Sequence, residues 1–398
     1  MLSPSQLRWF AVGVLILSSA LNYLDRMVLS ALMPTLREEF EITGAGLGNL
    51  VGIFYLVYGF SSPLVGMLID RIGLTWGACL VVILWSLAGM ATGLVGTFTG
   101  LLACRAALGF AEAGGIPVTG KAFAVYLPPE GRALGAAISQ IGLTLGTMTA
   151  PILTEWLSPV YGWRSVFVAA GALGFLWVPL WLWTAGKVPP LKVASDPPRA
   201  SFGAILRDTR FVALIFSNIL AMAVYGLWLN WVTYFLVTAY DMSREEANLS
   251  FAWIPPVFAT VGGLFGGWLA LRSIRAGTPV LKARMRIAFF ASLFVLVTAA
   301  VPLMPDPALA VAGICISLFA VTCLSVNYYA IPLDLYGAQR AAFGVAFLTG
   351  AFGLMMGFLS PQIGRWSDTA GWRPVCFLVA GLPLLSVGLL QLALRRRT

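Results

Sequence analysis

The sequence predicts an all-α membrane protein: twelve transmembrane helices arranged as two six-helix repeats. Three observations carry this. The chain of 398 residues is 59% hydrophobic and 10% charged, with a mean hydropathy of +0.88, whereas soluble domains carry about 25% charged residues. Apolar stretches long enough to cross a hydrocarbon core recur along its whole length. Short motifs at the ends of stretches in the first half return at the matching ends in the second.

In order, the spans read 9–33, 46–69, 75–96, 99–125, 133–155, 164–185, 210–238, 248–271, 285–304, 308–332, 338–362 and 373–394. Most connections are a few residues long. The longest polar stretch, 186–209, holds Lys187, Lys192, Arg199 and Arg207 with Pro189, Pro190, Pro197 and Pro198. It reads as a cytoplasmic linker between an N-terminal six-helix bundle, 1–185, and a C-terminal one, 210–398. The repeat is visible in Gly162-Trp163-Arg164, opening span six, and Gly371-Trp372-Arg373, opening span twelve. Arg132 and Arg340 open spans five and eleven, and Gly66 to Arg71 has its counterpart in Gly267 to Arg272. Two such repeats with a site near the bilayer midplane are a transporter architecture.

Of the 25 Lys and Arg, most fall at one set of loops and ends. Arg37, Arg164, Arg244, Arg365 and Arg373 fall at the opposite set, and Arg26 and Arg105 lie inside spans. This asymmetry predicts cytoplasmic termini and a multi-pass protein of the cell's inner membrane. The net charge of +9 suits an anionic cytoplasmic leaflet and membrane lipid rather than a nucleic acid. Cys79, Cys104, Cys315, Cys323 and Cys376 all lie in apolar spans without pairing or metal spacing, and there is no histidine, so no metal site or cofactor is expected. The first apolar run is too long for a signal peptide. Gly135, Gly142 and Gly146 in span five, and Gly344, Gly350, Gly353 and Gly357 in span eleven, give small faces for close helix packing. Pro117, Pro255, Pro256, Pro332 and Pro361 are expected kinks, since each removes a helix hydrogen bond.

The functional stretch is Asn22 to Pro34. It puts Asp25 and Arg26 inside the first span, where charges are costly and face a polar cavity or a partner. Span four adds Arg105 and Glu112, seven residues apart and therefore close to one helix face. Two acids and two bases in the N-terminal half form either a structural charge network or an ion and substrate site. No comparable charge lies in spans seven to nine. The C-terminal half offers Tyr225, Trp228 and Trp231 on span seven, and Asn327 and Tyr328 in span ten. Such aromatic rows serve packing, an interfacial belt or a polyhydroxylated ligand.

Gly66-Met67-Leu68-Ile69-Asp70-Arg71-Ile72-Gly73 resembles the loop 2–3 signature of the major facilitator superfamily. The basic residue that usually follows is replaced by Thr75-Trp76. Asn22 to Arg26, Arg105 to Glu112 with Pro117 and Lys121, Gly162 to Arg164, and Trp253 to Pro255 together resemble the anion:cation symporter family, which includes hexuronate and galactonate carriers and the sialin and vesicular glutamate carriers. The resemblance implies the major facilitator fold and proton coupling through Asp25 and Glu112. It implies an anion held by Arg26, with Arg105 paired to acids, and cavity residues Tyr23, Tyr58 and Gln140. It also implies a cytoplasmic gate at Asp70 and Arg71, with Arg132 nearby. Leu271 stands where the second repeat would carry Asp, and Gly115-Ile116 where an Asn-aromatic pair is common. The expectation is a monomeric, proton-coupled carrier of a small organic anion, a sugar acid or another carboxylate. A facilitated or sodium-coupled carrier of a monocarboxylate or phosphate ester is the alternative. A membrane enzyme is disfavoured, with no His, metal cluster or large loop; a channel would not need the repeat.

Overall fold

The computed structural model describes residues 3–191, 205–336 and 338–395. Helices account for nearly all of them and no strand occurs among the described residues. Among the described residues, twelve helices are long and apolar enough to cross a membrane. Most of the 186–209 linker lies outside the described residues.

The helices are α1 (Pro4–Glu39), α2 (Gly44–Ile72), α3 (Leu74–Thr92), α4 (Phe98–Glu112), α5 (Gly115–Tyr126), α6 (Pro129–Tyr161), α7 (Trp163–Lys187), α8 (Thr209–Tyr240), α9 (Pro255–Arg275), α10 (Val280–Val295), α11 (Pro307–Tyr336), α12 (Ala338–Thr369) and α13 (Trp372–Arg395). Several extend beyond their apolar stretch. α1 starts at a capping box, where the Ser3 hydroxyl accepts from Gln6 N–H and the Gln6 carboxamide accepts from Ser3 N–H. It continues through Arg37, Glu38 and Glu39 because polar end turns stay helical in the headgroup region.

Three spans are not continuous α-helices. Span four is two helices, α4 and α5, interrupted at Ala113 and Gly114. Pro117 has no N–H to return to the Ala113 carbonyl, and adjacent glycines do not resist the break. Span eight opens with a single turn, Arg244–Glu246, and a π segment, Ala247–Ala252, before α9 begins at Pro255. Pro255 and Pro256 cannot extend a helix backwards but fit its first turn. The Trp253 indole N–H donates to the Leu249 carbonyl at 2.8 Å across this irregular stretch. Span nine ends in two 3-10 segments, Leu296–Ala299 and Val301–Leu303.

The chain divides into two compact units. Unit 1 holds Met1–Ile42, Asn49–Ser195 and Arg244–Trp253. Within it, α6 meets α1 through the small face read from the sequence: a β-carbon on Gly146 would lie 2.0 Å from the Ala20 carbonyl oxygen. The indole N–H of Trp177 donates to the Val14 carbonyl at 2.6 Å and that of Trp181 to the Thr75 carbonyl at 3.2 Å. α7 is thereby tied to α1 and α3, both polar tips satisfied, as a buried tryptophan requires.

Unit 2 holds Thr43–Gly48, Asp196–Ser243 and Ile254–Thr398. Its core packs Phe211, Leu214, Met285, Leu324, Tyr328, Ile331, Leu348 and Leu390. The first turn of α2 belongs here, and the Gly44 N–H donates to Asp368 Oδ2 at 2.6 Å, an acid placed at the positive end of a helix.

The repeat has a backbone counterpart. Gly162 and Gly371 have φ of +78° and +72°, a conformation that residues with a β-carbon avoid. Each precedes a buried tryptophan, Trp163 or Trp372, and a helix start.

Candidate functional site

Unit 1 buries four charged side chains together: Asp25, Arg26, Arg105 and Glu112 are each 5% exposed or less. Arg26 and Glu112 form the ion pair. Nε and Nη2 of Arg26 both donate to Glu112 Oε2, at 2.9 and 2.8 Å, and Glu112 Oε1 has no partner. Nη2 also donates to Asn22 Oδ1 at 3.3 Å, an i, i+4 contact along α1.

Aromatic rings enclose the guanidinium. Its Cζ lies 4.6 Å from the Tyr23 ring centroid, 4.8 Å from Phe54, 5.1 Å from Tyr58 and 5.9 Å from Tyr55. Arg105 Cζ lies 4.6 Å from the same Phe54 ring. Two cations therefore share one ring, an attractive contact that strengthens when water is excluded. Nε and Nη1 of Arg105 and Oδ2 of Asp25 have no hydrogen-bond partner among the described residues. Asp25 lies against α3, where a β-carbon on Gly89 would stand 3.5 Å from Oδ1. The cluster thus combines a partly occupied arginine fork, an unpaired arginine edge and two carboxyl oxygens open to a further partner. It can receive an anion and hold a proton.

A family profile described as Major Facilitator Superfamily matches residues 15–350. The chain belongs to the Major Facilitator Superfamily. As a member of this superfamily it is a transporter and not an enzyme. The hexuronate transporter of Escherichia coli (strain K12) is 27% identical over 398 residues, covering 95% of this chain and 92% of the relative. The galacturonate transporter of Dickeya chrysanthemi is 28% identical over 283 residues, covering 67% of this chain and 82% of the relative. Among solved structures, a D-xylose-proton symporter overlays with a TM-score of 0.77 at 14% identity, covering 96% of this chain and 97% of that one.

Within this Major Facilitator Superfamily fold, the other residues singled out from the sequence are placed as follows. Asp70 is exposed and pairs with Lys121 Nζ at 3.1 Å; the same amine donates to the Ile69 carbonyl at 3.0 Å. Arg71 is exposed beside it. Arg132 reaches back to the Leu127 and Ala124 carbonyls, both at 3.4 Å, capping the end of α5. Gln140 is exposed on α6. In unit 2, Trp228 is buried edge-on to Phe235 at 5.2 Å. Asn327 is fully buried and its Nδ2 donates to the Cys323 carbonyl at 2.9 Å. The Tyr328 hydroxyl is 2.8 Å from Ser386 Oγ, inside the apolar core. The structure gathers Tyr23, Asp25, Arg26, Tyr58, Arg105 and Glu112 into one cluster. It does not join Asn327 and Tyr328 to each other through a side-chain hydrogen bond.

Sequence reasoning gave Asn22 no role within its stretch and missed Phe54 and Tyr55. Phe54, Tyr55 and Tyr58 share a face of α2 at i, i+1 and i+4 spacing, a signal hidden among many aromatics. It also missed a second ion pair in unit 1, between buried Glu155 and half-buried Arg244. Arg244 Nε and Nη2 donate to the two oxygens of Glu155 at 2.8 and 3.0 Å. Arg244 Nη1 also donates to Thr35 Oγ1, and Asn248 Nδ2 donates to Glu155 Oε1. Among the described residues, no group of His, Cys, Asp or Glu is arranged to hold a metal ion.

Proposed function

We propose that this transporter is a proton-coupled symporter that takes up a small organic anion, a sugar acid such as a hexuronate or aldonate, by alternating access. The observation that carries the proposal is the charge balance of the buried cluster. Asp25 and Glu112 cancel Arg26 and Arg105 when all four are ionised. Adding a substrate carboxylate leaves one uncompensated negative charge in a site shielded from water, which is costly. A proton taken up on Glu112 or Asp25 removes that charge. Anion and proton then enter together, and each is unfavourable without the other.

Arg26 is the group that meets the carboxylate, through charge-assisted hydrogen bonds. Its fork is already turned to a carboxylate, that of Glu112, so substrate and Glu112 compete for it. Protonation of Glu112 releases the fork. Arg105 contributes field from beside Phe54, and Tyr23 and Tyr58 offer hydroxyls to a polyhydroxylated ligand. Relatives named for hexuronate, galacturonate, L-galactonate and galactarate or D-glucarate transport support the sugar-acid class.

The proposal places the carrier in the inner membrane as a monomer, both termini cytoplasmic, with bundles 1–185 and 210–398 joined by the 186–209 linker. Asp70, Arg71 and Arg132 act at its cytoplasmic gate. The decisive experiment is transport in proteoliposomes. Uptake of D-glucuronate or D-galactonate against its own gradient, driven by an imposed pH difference and unaffected by sodium, is expected. Equal equilibration with and without the pH difference overturns the coupling.

A further inference from the structure

Three polar positions of α1 face three of span four in antiparallel register. Ser19, Asn22 and Arg26 follow at i, i+3 and i+7, one helix stripe. Opposite them stand Thr119, Gly115 and Glu112. The outer rungs are closed: Ser19 Oγ lies 3.2 Å from Thr119 Oγ1, and Arg26 holds Glu112. Thr119 Oγ1 also donates to the Gly115 carbonyl at 3.0 Å. The middle rung is open because Gly115 has no side chain.

Asn22 faces that gap. A β-carbon on Gly115 would stand 3.6 Å from Asn22 Nδ2, nearer than from Oδ1 at 3.9 Å. Oδ1 already accepts from Arg26. Nδ2 has no partner, although Asn22 is only 5% exposed. A buried amide donor left unpaired is costly, and Gly115 beside it is partly exposed. Gly115 is also the first residue of α5, so the gap lies at the positive end of a helix.

We infer that Asn22 is a specificity-determining residue: its Nδ2–H donates to the hydroxyl oxygen on the carbon next to the substrate carboxylate, which enters the open rung at Gly115 while Arg26 faces the carboxylate. This rests on the sugar-acid reading above and narrows it to 2-hydroxy carboxylates. The Asn22 carboxamide bridges the two positions, its oxygen on the arginine and its nitrogen one group further on. A ligand lacking that hydroxyl leaves the donor buried and unpaired, and a site built around a hydrogen bond discriminates against such an analogue.

The test uses the purified full-length carrier and direct binding by calorimetry. The probes are D-galactonate and D-gluconate, which carry a hydroxyl on the carbon next to the carboxylate, and D-glucuronate and D-galacturonate, whose pyranose rings place the ring oxygen there. For whichever aldonate binds wild type more tightly, the further probe is its 2-deoxy analogue. Wild type is expected to prefer the hydroxy acid by about tenfold, the scale of one hydrogen bond. Asn22→Leu should bring the two within about twofold by weakening the hydroxy acid. Gly115→Ser has room for its side chain and supplies a hydroxyl to Nδ2, closing the rung with Asn22 in place. It should lose the preference in the same way, and it decides the matter if Asn22→Leu does not fold. No preference in wild type, binding of the hexuronates without the aldonates, or a wild-type preference kept in the folded variant, overturns the inference with the carrier reading intact. Binding of none of the four acids to folded wild type is a different result: it overturns the sugar-acid reading and this inference with it.

Discussion

Arg26 places two nitrogens on one oxygen of Glu112 and none on the other. The pair is therefore strong in charge and incomplete in hydrogen bonding. A carboxylate fully locked by a fork would resist change. Here Oε1 is available to a proton, and protonation there would weaken the hold of Oε2 on the arginine.

Glu112→Gln imitates the protonated acid permanently. It should still bind substrate and still exchange it in counterflow, at rates within a few-fold of wild type. It should fail to concentrate substrate when a pH gradient is imposed. Proteoliposome uptake with and without that gradient separates the two. Accumulation at the wild-type level would mean that Glu112 is a structural partner of Arg26 and another group carries the proton.

Arg26→Ala should weaken anion binding at least about hundredfold, since removing one member of a buried charge pair costs about 3–5 kcal/mol. Arg26→Lys should recover little, because a single ammonium cannot face Glu112, Asn22 and a ligand carboxylate as a planar fork does. Calorimetry on folded protein reads this directly. Unchanged affinity in Arg26→Ala would move the anion to Arg105.

The Glu155–Arg244 pair can be weighed by a double-mutant cycle on thermal stability. Glu155→Ala leaves Arg244 and Asn248 without their shared acceptor, and Arg244→Ala leaves the carboxylate buried. Each single change should lower Tm by several degrees. The double variant should lose clearly less than the sum, because neighbours in one network do not add. Strict additivity would show that the pair contributes no coupling energy.

Asp208 is the acid whose pH response can be signed. It caps α8 by accepting from the Arg210 N–H at 2.9 Å, and the Arg210 guanidinium holds both its oxygens. That side-chain hydrogen bond, followed by the backbone one, outweighs partial burial and lowers its pKa to about 2. An unpaired Asp titrates near about 3.9. The capping stabilisation is therefore fully present above about pH 4 and is lost as pH falls through about 2. Asp208→Asn should melt below wild type at pH 7, and the two curves should converge as pH drops through that window. A constant gap down to pH 2 would show that the ionised form contributes nothing.

Orientation follows from the charge bias and can be checked at Thr278, between α9 and α10. With the five native cysteines replaced, Thr278→Cys should be unreactive to an impermeant maleimide applied outside right-side-out vesicles and reactive after permeabilisation. Rapid labelling from outside would invert the topology.

The spans were legible because a bilayer imposes a length and an apolar composition that few other constraints imitate. The helix break after Glu112 was written in Gly114, Gly115 and Pro117; hydropathy smooths over it, and only a kink at Pro117 was legible. The charges were legible as a group, since each is conspicuous inside an apolar run. Their partners were not. Whether Glu112 meets Arg26 on another helix or Arg105 on its own depends on helix rotation, which no spacing rule supplies. Asn22 was hidden for a related reason: its importance lies in what Gly115 lacks. Glu155 and Arg244 lie too far apart in sequence for any local pattern to link them.

The two corners at Gly162 and Gly371 bear on how this chain tolerates change. Both carry the same Gly-Trp-Arg. At the corners an L-amino acid would carry about 1–3 kcal/mol of strain, and open space beside both does nothing to relieve it, because the obstacle is handedness and not crowding. A saturation scan would therefore find two isolated intolerant points on otherwise permissive loops. D-alanine, introduced there by chemical ligation, would be accepted where L-alanine is refused.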